Sequence, residues 1–413
     1  MSALLSVTAA VQRLLDHFAP LGVETLPLPQ AGGRVLAEAV HARFDLPPFP
    51  NSSMDGFAVQ AADVEGAGQE SPVELRVVAD IPAGQAPEIR LGAGQAARIM
   101  TGAVLPDGAE AVVPVENTDF NYRQPGLPAP ERVRIFSPAA PGDNVRRKGM
   151  DVEAGEAVLH PGCRLRAQDL GFLAMLGSSE AQVYRLPRVA IFSTGDELLS
   201  LGEPIAPGKI YDANSHILQA LITRAGALST RLGIIPDREE AVQAALDEAA
   251  ASGVDLILSS AGVSVGAFDF VRQVVEARGR LEFWRVNMRP GKPLAFGDYR
   301  GIPFIGLPGN PVSAFVGFEV FVRPALMKMS GMENTRRSVV RVRLDEALES
   351  DGRESYLRAV VTEKSGERRA VLTGHQGSGN LRSLVQANAL LLIPSGVKSL
   401  PSGAEVNAWY LDE

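Results

Sequence analysis

Val189-Ala190-Ile191-Phe192-Ser193-Thr194-Gly195-Asp196-Glu197 is the stretch that decides the fold. An unbroken apolar run with two β-branched residues reads as a strand buried on both faces. The glycine-punctuated polar tail reads as a loop at the end of that strand. The pattern recurs at Leu256–Ser259 with Ser260-Ala261-Gly262-Val263-Ser264-Val265-Gly266, and at Pro303–Ile305 with Gly306-Leu307-Pro308-Gly309-Asn310-Pro311. A helical pattern follows each loop. Loops at strand ends of an open α/β sheet gather on one edge, where ligands bind. One such loop is an ordinary turn; three within one region point to a phosphate-friendly site assembled from separate segments.

Working outward, residues 188–329 alternate strand and helix. Leu228–Ile235 and Leu281–Val286 read as further strands. Asn214 reads as the cap of a helix that places Ile217, Leu218, Leu221 and Ile222 inward and ends at Gly226. Asp237, with Glu240 three residues on, reads as a capping-box start. Pro311 opens a last apolar helix from its first position. The alternation predicts a parallel-rich sheet covered by helices on both faces.

The rest of the chain is different. Ser6 reads as the cap of an N-terminal helix with Val7, Val11, Leu14, Leu15 and Phe18 on one face. Val73–Ala79, Ala96–Met100, Ala111–Val115 and Arg132–Phe136 are short strand-like runs separated by turn signals such as Pro141-Gly142-Asp143. From Ser338 onward Val339–Leu344, Tyr356–Val361, Ala370–Leu372, Leu390–Ile393 and Val406–Leu411 form a second β series. The expected fold class is therefore α/β plus β domains, multidomain. It has a discontinuous N-terminal part at 1–50 and 145–186 and an inserted β domain at 51–144. A central three-layer α/β domain follows at 187–330, and a small C-terminal β-barrel or sandwich at 331–413.

Composition narrows the function classes. The chain has 413 residues, too many for one ordinary core. With 46% hydrophobic and 21% charged residues it is globular rather than disordered. A net charge of −8 argues against a nucleic-acid partner, which needs a basic face. One cysteine, Cys163, excludes an internal disulfide and a zinc ribbon, and the histidines show no metal-binding spacing. No apolar run of membrane-spanning length and no signal-peptide pattern occurs, so the expectation is a cytoplasmic protein with no membrane partner. There is no Walker A loop, GxGxxG fingerprint or GxSxG elbow.

The chemistry must then rest on backbone amides, carboxylates and cations. The amide-rich loops offer Gly195, Gly262, Ser264, Gly309 and Asn310 to a nucleotide phosphate. Asp55, Asp151, Glu197, Asp237 and Asp269 lie in loop contexts, and hard oxygen donors of this kind hold Mg²⁺ together with substrate phosphates. Asp237 reads equally as a helix cap and Asp55 as a turn residue. Arg146-Arg147-Lys148 reads as a phosphate contact or a solvated face. In Met288-Arg289-Pro290-Gly291-Lys292-Pro293 the proline and glycine fix the backbone, so Arg289 and Lys292 are presented, with Arg285 just upstream. Arg suits forked contact with tetrahedral oxyanions and Lys acts as a point charge.

Taken together, these segments resemble the molybdopterin molybdenumtransferase family, the MoeA type, to which the gephyrin E domain also belongs. The resemblance covers nearly the whole chain. It runs through Pro47-Pro48-Phe49-Pro50-Asn51-Ser52-Ser53-Met54-Asp55-Gly56-Phe57, Arg98-Ile99-Met100-Thr101-Gly102-Ala103 and Asn144-Val145-Arg146-Arg147-Lys148-Gly149-Met150-Asp151. It continues through Ser193 to Leu198, Tyr211-Asp212-Ala213-Asn214, the second glycine loop to Asp269, Arg289 to Pro293, the third loop, and Gly374-His375-Gln376-Gly377-Ser378. The chain departs from the family in carrying Arg285 and Arg289 where Lys is frequent, and Ala261 where Gly is common.

The resemblance implies insertion of molybdate into adenylylated molybdopterin with release of AMP. It places Asp55, Thr101, Arg146, Asp151, Glu197, Asp237 and Asp269 on active-site positions. Glu197, Asp237 and Asp269 would hold a metal ion, Mg²⁺. Arg285, Arg289, Lys292, Arg358 and Ser378 fall on oxyanion and substrate positions, with Ser313 beside them. Molybdate is a substrate in this reading. The resemblance also implies an elongated four-domain subunit, a homodimer with its active site at the interface, and a molybdopterin adenylyltransferase as a partner. Two rival readings stand beside it. One is a molybdopterin adenylyltransferase. The other is a non-catalytic molybdopterin-binding scaffold.

Overall fold

The computed structural model describes residues 4–120, 126–260, 270–364 and 366–412. They divide into two compact units, one of Met1–Glu38, Pro161–Leu173 and Ser178–Glu413, the other of Ala39–His160 and Ala174–Gly177.

The first unit is built on a six-stranded sheet in the order Leu228–Ile235, Arg188–Thr194, Leu256–Ser260, Ile302–Leu307, Pro293–Tyr299, Gly279–Arg285. The first four strands are parallel. The last two are antiparallel additions, so the sheet is mixed beyond Ile302–Leu307. The Pro293–Tyr299 strand escapes a propensity reading because Pro293, Gly297 and Asp298 look like turn residues. Proline is tolerated here as the first residue of the strand.

Alternation along the parallel strands feeds two cores, which is the origin of the three layers. Val189, Ile191, Leu256, Leu258, Ile305 and Leu307 face one cluster. Ala190, Phe192, Ile257 and Phe304 face the other. Helices Val7–Leu15, Asn214–Arg224 and Pro311–Gly317 cover the first face, and Glu239–Ala251 with Phe270–Arg278 cover the second. Ser6 caps the N-terminal helix by accepting from Ala9 N at 3.2 Å, as its sequence predicts.

Three local expectations are corrected. Asn214 is the first helical residue rather than the cap; Asp212 Oδ1 accepts from Ser215 N at 3.1 Å in its place. Asp237 does not cap its helix, which starts at Glu239 without a side-chain cap. The last apolar helix is interrupted: Pro311–Gly317 passes through a π-helical turn, Phe318–Val322, into Arg323–Met329. Pro324 has no N–H to give the preceding turn, and the wider turn accommodates it.

Five strands close the C-terminal barrel. Glu354–Lys364 pairs with Glu367–Leu372, which pairs with Val340–Leu344, then Glu405–Tyr410, then Ala389–Ile393, which returns to Glu354–Lys364. Closure removes exposed sheet edges. Met288–Arg289 adds in parallel beside Glu354 and Ser355.

The second unit carries a five-stranded sheet ordered Ala111–Pro114, Gly56–Val59, Gln95–Ile99, Val73–Ile81, Arg132–Ile135. Phe57 and Val59 enter one cluster and Ala58 another, the period-2 signature of a sheet covered on both faces. Among the described residues no helix is long and apolar enough to cross a membrane.

Candidate active site

Strand register brings the loops of the first unit to one edge. Ile235 stands beside Thr194, Ser193 beside Ser260, and Ser260 beside Leu307. On the antiparallel side Ala295 stands beside Gly306 and Arg285 beside Pro293, so the turn between them opens onto the same edge. Asp237, the Gly195 loop, Ser260, the Gly309 loop and the basic turn thus follow one another along it. Neighbouring strands lie about 4.8 Å apart, so the three steps from the Arg188–Thr194 strand to the Pro293–Tyr299 strand span roughly 14 Å.

Carboxylates occupy one end. Gly195 takes φ +150°, a conformation closed to side chains, and a Cβ there would meet the Glu197 carboxylate at 2.6 Å. Glycine therefore lets Glu197 fold back over the loop. Asp237 N donates to Asp196 Oδ1 at 3.3 Å. Burial, then the charges of Asp196 and Glu197, raise the Asp237 carboxyl pKa above its ordinary value. Among the described residues no set of His, Cys, Asp and Glu is drawn together as a finished metal cage. The donors are nonetheless hard oxygens, and their mutual repulsion at Asp237 is what a divalent cation would relieve. Gly262, Ser264 and Asp269 lie outside the described residues.

Cations occupy the other end. Gly291 takes φ +91°, which side chains rarely adopt, and a Cβ there would lie 3.4 Å from the Ser313 carbonyl, so the Arg289-to-Lys292 turn passes beside the start of the Pro311–Gly317 helix. Arg289 Nη1 stands 4.0 Å from Asp351, a carboxylate already engaged by Arg353. Lys292 and Arg285 are exposed, while Ser313 is buried. Arg358 is 0% exposed. Its guanidinium donates to Ser383 Oγ at 3.1 Å, Gly377 O at 3.0 Å and His375 O at 3.4 Å, and its backbone N donates to Gln376 Oε1 at 2.9 Å. Among the described residues no carboxylate balances this buried charge. Burial, then the charge of Arg289, push its pKa down to about 10. A buried arginine held by neutral acceptors and repelled by a second arginine is arranged for an anion. Ser378 joins this end to the third glycine loop: its Oγ accepts from Asn310 Nδ2 at 3.0 Å and its carbonyl from Val312 N at 3.1 Å.

In the second unit, Thr101 donates to Asp55 Oδ1 twice, from its backbone N and from Oγ1, each at 2.7 Å. Gly56 follows Asp55 because a Cβ there would fall 2.1 Å from the Val113 carbonyl. A cavity of about 740 Å³ opens beside the pair, walled by Phe57, Arg98, Met100 and Phe120. Arg146 lies on the strand paired with Asn51, and is exposed. Asp151 is exposed on a turn whose backbone bonds to Leu46 O, stabilised by the Lys148–Asp45 ion pair at 3.2 Å. Asp55 and Thr101 are therefore in direct contact, whereas Asp151 belongs to a separate turn.

Reading the residues did not single out Asp196, Gln376 or the helix-start residue Asp212 for a role. The glycine between Thr194 and Asp196 was the available signal for the first; nothing local marks the others.

Comparison with known proteins finds relatives over nearly the whole chain. Residues 5–177 match the family "MoeA N-terminal region (domain I and II)", 190–328 "Probable molybdopterin binding domain" and 341–411 "MoeA C-terminal region (domain IV)". The chain is 41% identical over 390 residues to the molybdopterin molybdenumtransferase of Nostoc sp., covering 93% of this chain and 87% of that protein. It is 33% identical over 410 residues to that of Haemophilus influenzae, covering 98% of each. The crystal structure of the molybdopterin biosynthesis moeA protein from Pyrococcus horikoshii superposes with a TM-score of 0.83 at 32% identity, covering 99% of this chain and 100% of that one. The chain belongs to the MoeA family of molybdopterin molybdenumtransferases, transferases of molybdenum cofactor biosynthesis.

Proposed function

We propose that this chain inserts molybdate into adenylylated molybdopterin and releases AMP. The observation that carries the reading is the division of one sheet edge. Glycine loops and carboxylates stand at one end, and two arginines stand at the other, of which the buried Arg358 has no carboxylate partner among the described residues. The loops and Asn310 would receive the nucleotide and its phosphates. Arg289, Lys292, Arg358 and Ser378 would hold molybdate, with Arg285 adding positive charge at the rim. Glu197 and Asp237, joined by Asp269, would hold Mg²⁺, which supplies charge neutralisation on the phosphoanhydride oxygens. Asp55, oriented by the two Thr101 donors, would orient the attacking oxygen, and Asp151 and Arg146 would assist from their own turns. A homodimer would let the second unit of one subunit complete the site of another, and a molybdopterin adenylyltransferase would supply the substrate. The working compartment would be the cytoplasm.

Cofactor synthesis in cells lacking their own molybdenumtransferase tests this. Asp55→Ala and Glu197→Ala should each fail to restore it while accumulating as folded protein. Full restoration by both would favour a binding scaffold over an enzyme.

A further inference from the structure

The Tyr211-Asp212-Ala213-Asn214 segment has no part in the function proposed above, yet it touches all three glycine loops. Asp212 Oδ1 accepts from Ser193 Oγ in the first loop at 3.1 Å. Asn214 Nδ2 donates to Ser260 Oγ, at the start of the second, at 2.6 Å, and to the Gly309 carbonyl of the third at 2.7 Å. These loops end three neighbouring strands. Ser193 and Ser260 are paired in the sheet, whereas Gly309 lies beyond the end of its strand at Leu307, so the Asn214 bond to its carbonyl helps set where the third loop sits.

A second observation marks the segment. Asp212 is 4% exposed and Ser215 0% exposed. Asp212 Oδ2, Asn214 Oδ1 and Ser215 Oγ are all buried without a hydrogen-bond partner among the described residues. Most buried polar atoms are paired, and a cluster left open is costly unless something completes it. All three can accept a hydrogen bond, so the missing partner is a donor.

We propose that Asn214, with Asp212 beside it, is a positioning residue for the bound nucleotide. It braces the strand ends at Ser193 and Ser260 against the Gly309 loop at the spacing the ligand requires, and a donor on that ligand completes the open acceptors. This rests on the reading that the loops receive the nucleotide. The role is distinct from helix capping, which Asp212 performs through Ser215 N. It is also distinct from molybdate binding, because no bond of Asp212 or Asn214 reaches Arg289, Lys292, Arg358 or Ser378 among the described residues.

Calorimetric titration of the full chain with AMP in the presence of Mg²⁺, and separately with molybdate, tests the brace. The variants are Asn214→Ala, Asn214→Asp and Thr223→Ala. Asn214→Asp keeps the size and one oxygen but turns an acceptor toward the Gly309 carbonyl. Thr223→Ala removes only a hydroxyl bond to Gln219 O on the same helix. Both Asn214 variants should lose at least about tenfold in AMP affinity while molybdate affinity stays within about twofold and the melting temperature stays close to wild type. Thr223→Ala should match wild type throughout. Wild-type AMP affinity in Asn214→Asp would overturn the brace alone. Equal losses for AMP and molybdate would also overturn it, by marking general damage. Failure of the wild-type chain to bind AMP would overturn the nucleotide reading and the brace with it.

Discussion

Asn310 Nδ2 donates to Ser378 Oγ at 3.0 Å, a bond between residues 68 positions apart. It ties the cap of the Pro311–Gly317 helix, at the end of the third glycine loop, to the barrel turn that also holds Arg358. A ligand gripped by the loop and an anion held beside Arg358 therefore press on one connected surface.

Arg358 sits in a cage of neutral acceptors made by His375, Gly377 and Ser383. Arg358→Ala should cost about 1–3 kcal/mol of stability, because those acceptors lose their donor. Arg358→Lys keeps the charge but cannot reproduce the fork. It should fold with a smaller penalty, yet bind molybdate at least about tenfold more weakly. Urea unfolding and molybdate titration on the same preparations separate the two effects.

Asp237 predicts an unusual pH dependence. Its folded-state pKa is raised by burial and by Asp196 and Glu197. A raised carboxyl pKa means that the folded state binds the proton more tightly than the unfolded one. In the absence of divalent cation its contribution therefore turns unfavourable as pH rises through the carboxylate range, and it vanishes in acid, below the unfolded value. Asp237→Asn should melt at a higher temperature than wild type at neutral pH without Mg²⁺, with the gap closing at low pH. Added Mg²⁺ should stabilise wild type more than the variant. Melting curves at acid and neutral pH, with and without Mg²⁺, provide the check.

Asp55 and Thr101 should behave as one functional element. Both side chains are exposed, so Thr101→Val should leave the melting temperature almost unchanged. Loss of the hydroxyl donor to Asp55 Oδ1 should lower turnover by about tenfold. Asp55→Ala should lower it further, and the double variant should be no worse than Asp55→Ala alone. Additive losses would show that the two residues act separately.

Glu319 supplies a contrast. Its side chain is 1% exposed and pairs with Arg224 Nη2 at 2.5 Å and Arg337 Nε at 2.9 Å. Those arginines also donate to the carbonyls of Leu411 and Tyr410, so the pair knits the α/β layer to the barrel. Glu319→Gln leaves the buried Arg337 cation short of a counter-charge and should cost about 3 kcal/mol. Activity per folded molecule should be retained, as measured by unfolding and by turnover on the soluble fraction.

Much of the first unit was legible because its parallel strands are buried on both faces and read as uninterrupted apolar runs. The antiparallel hairpin ending in Pro293–Tyr299 was not, since Pro293 and Gly297 imitate a turn until cross-strand pairing overrides them. Glu197, Arg289 and Lys292 stood out through the glycine and proline around them. Arg358 did not: one arginine within a strand carries no local pattern, and only the family resemblance reached it. The Asp55–Thr101 bond joins residues 46 positions apart and is a product of sheet pairing. Asp212 and Asn214 were hidden for another reason. Asn at a helix start has an ordinary capping explanation, and only the bonds to Ser260 and Gly309 reveal a different use.

The most direct test of the central claim is the release of AMP from adenylylated molybdopterin by the purified chain with Mg²⁺, followed with and without molybdate. The account predicts that AMP release rises with molybdate and matches, mole for mole, the molybdenum recovered on the pterin product. Release that ignores molybdate, or AMP formed without molybdenum incorporation, would contradict it.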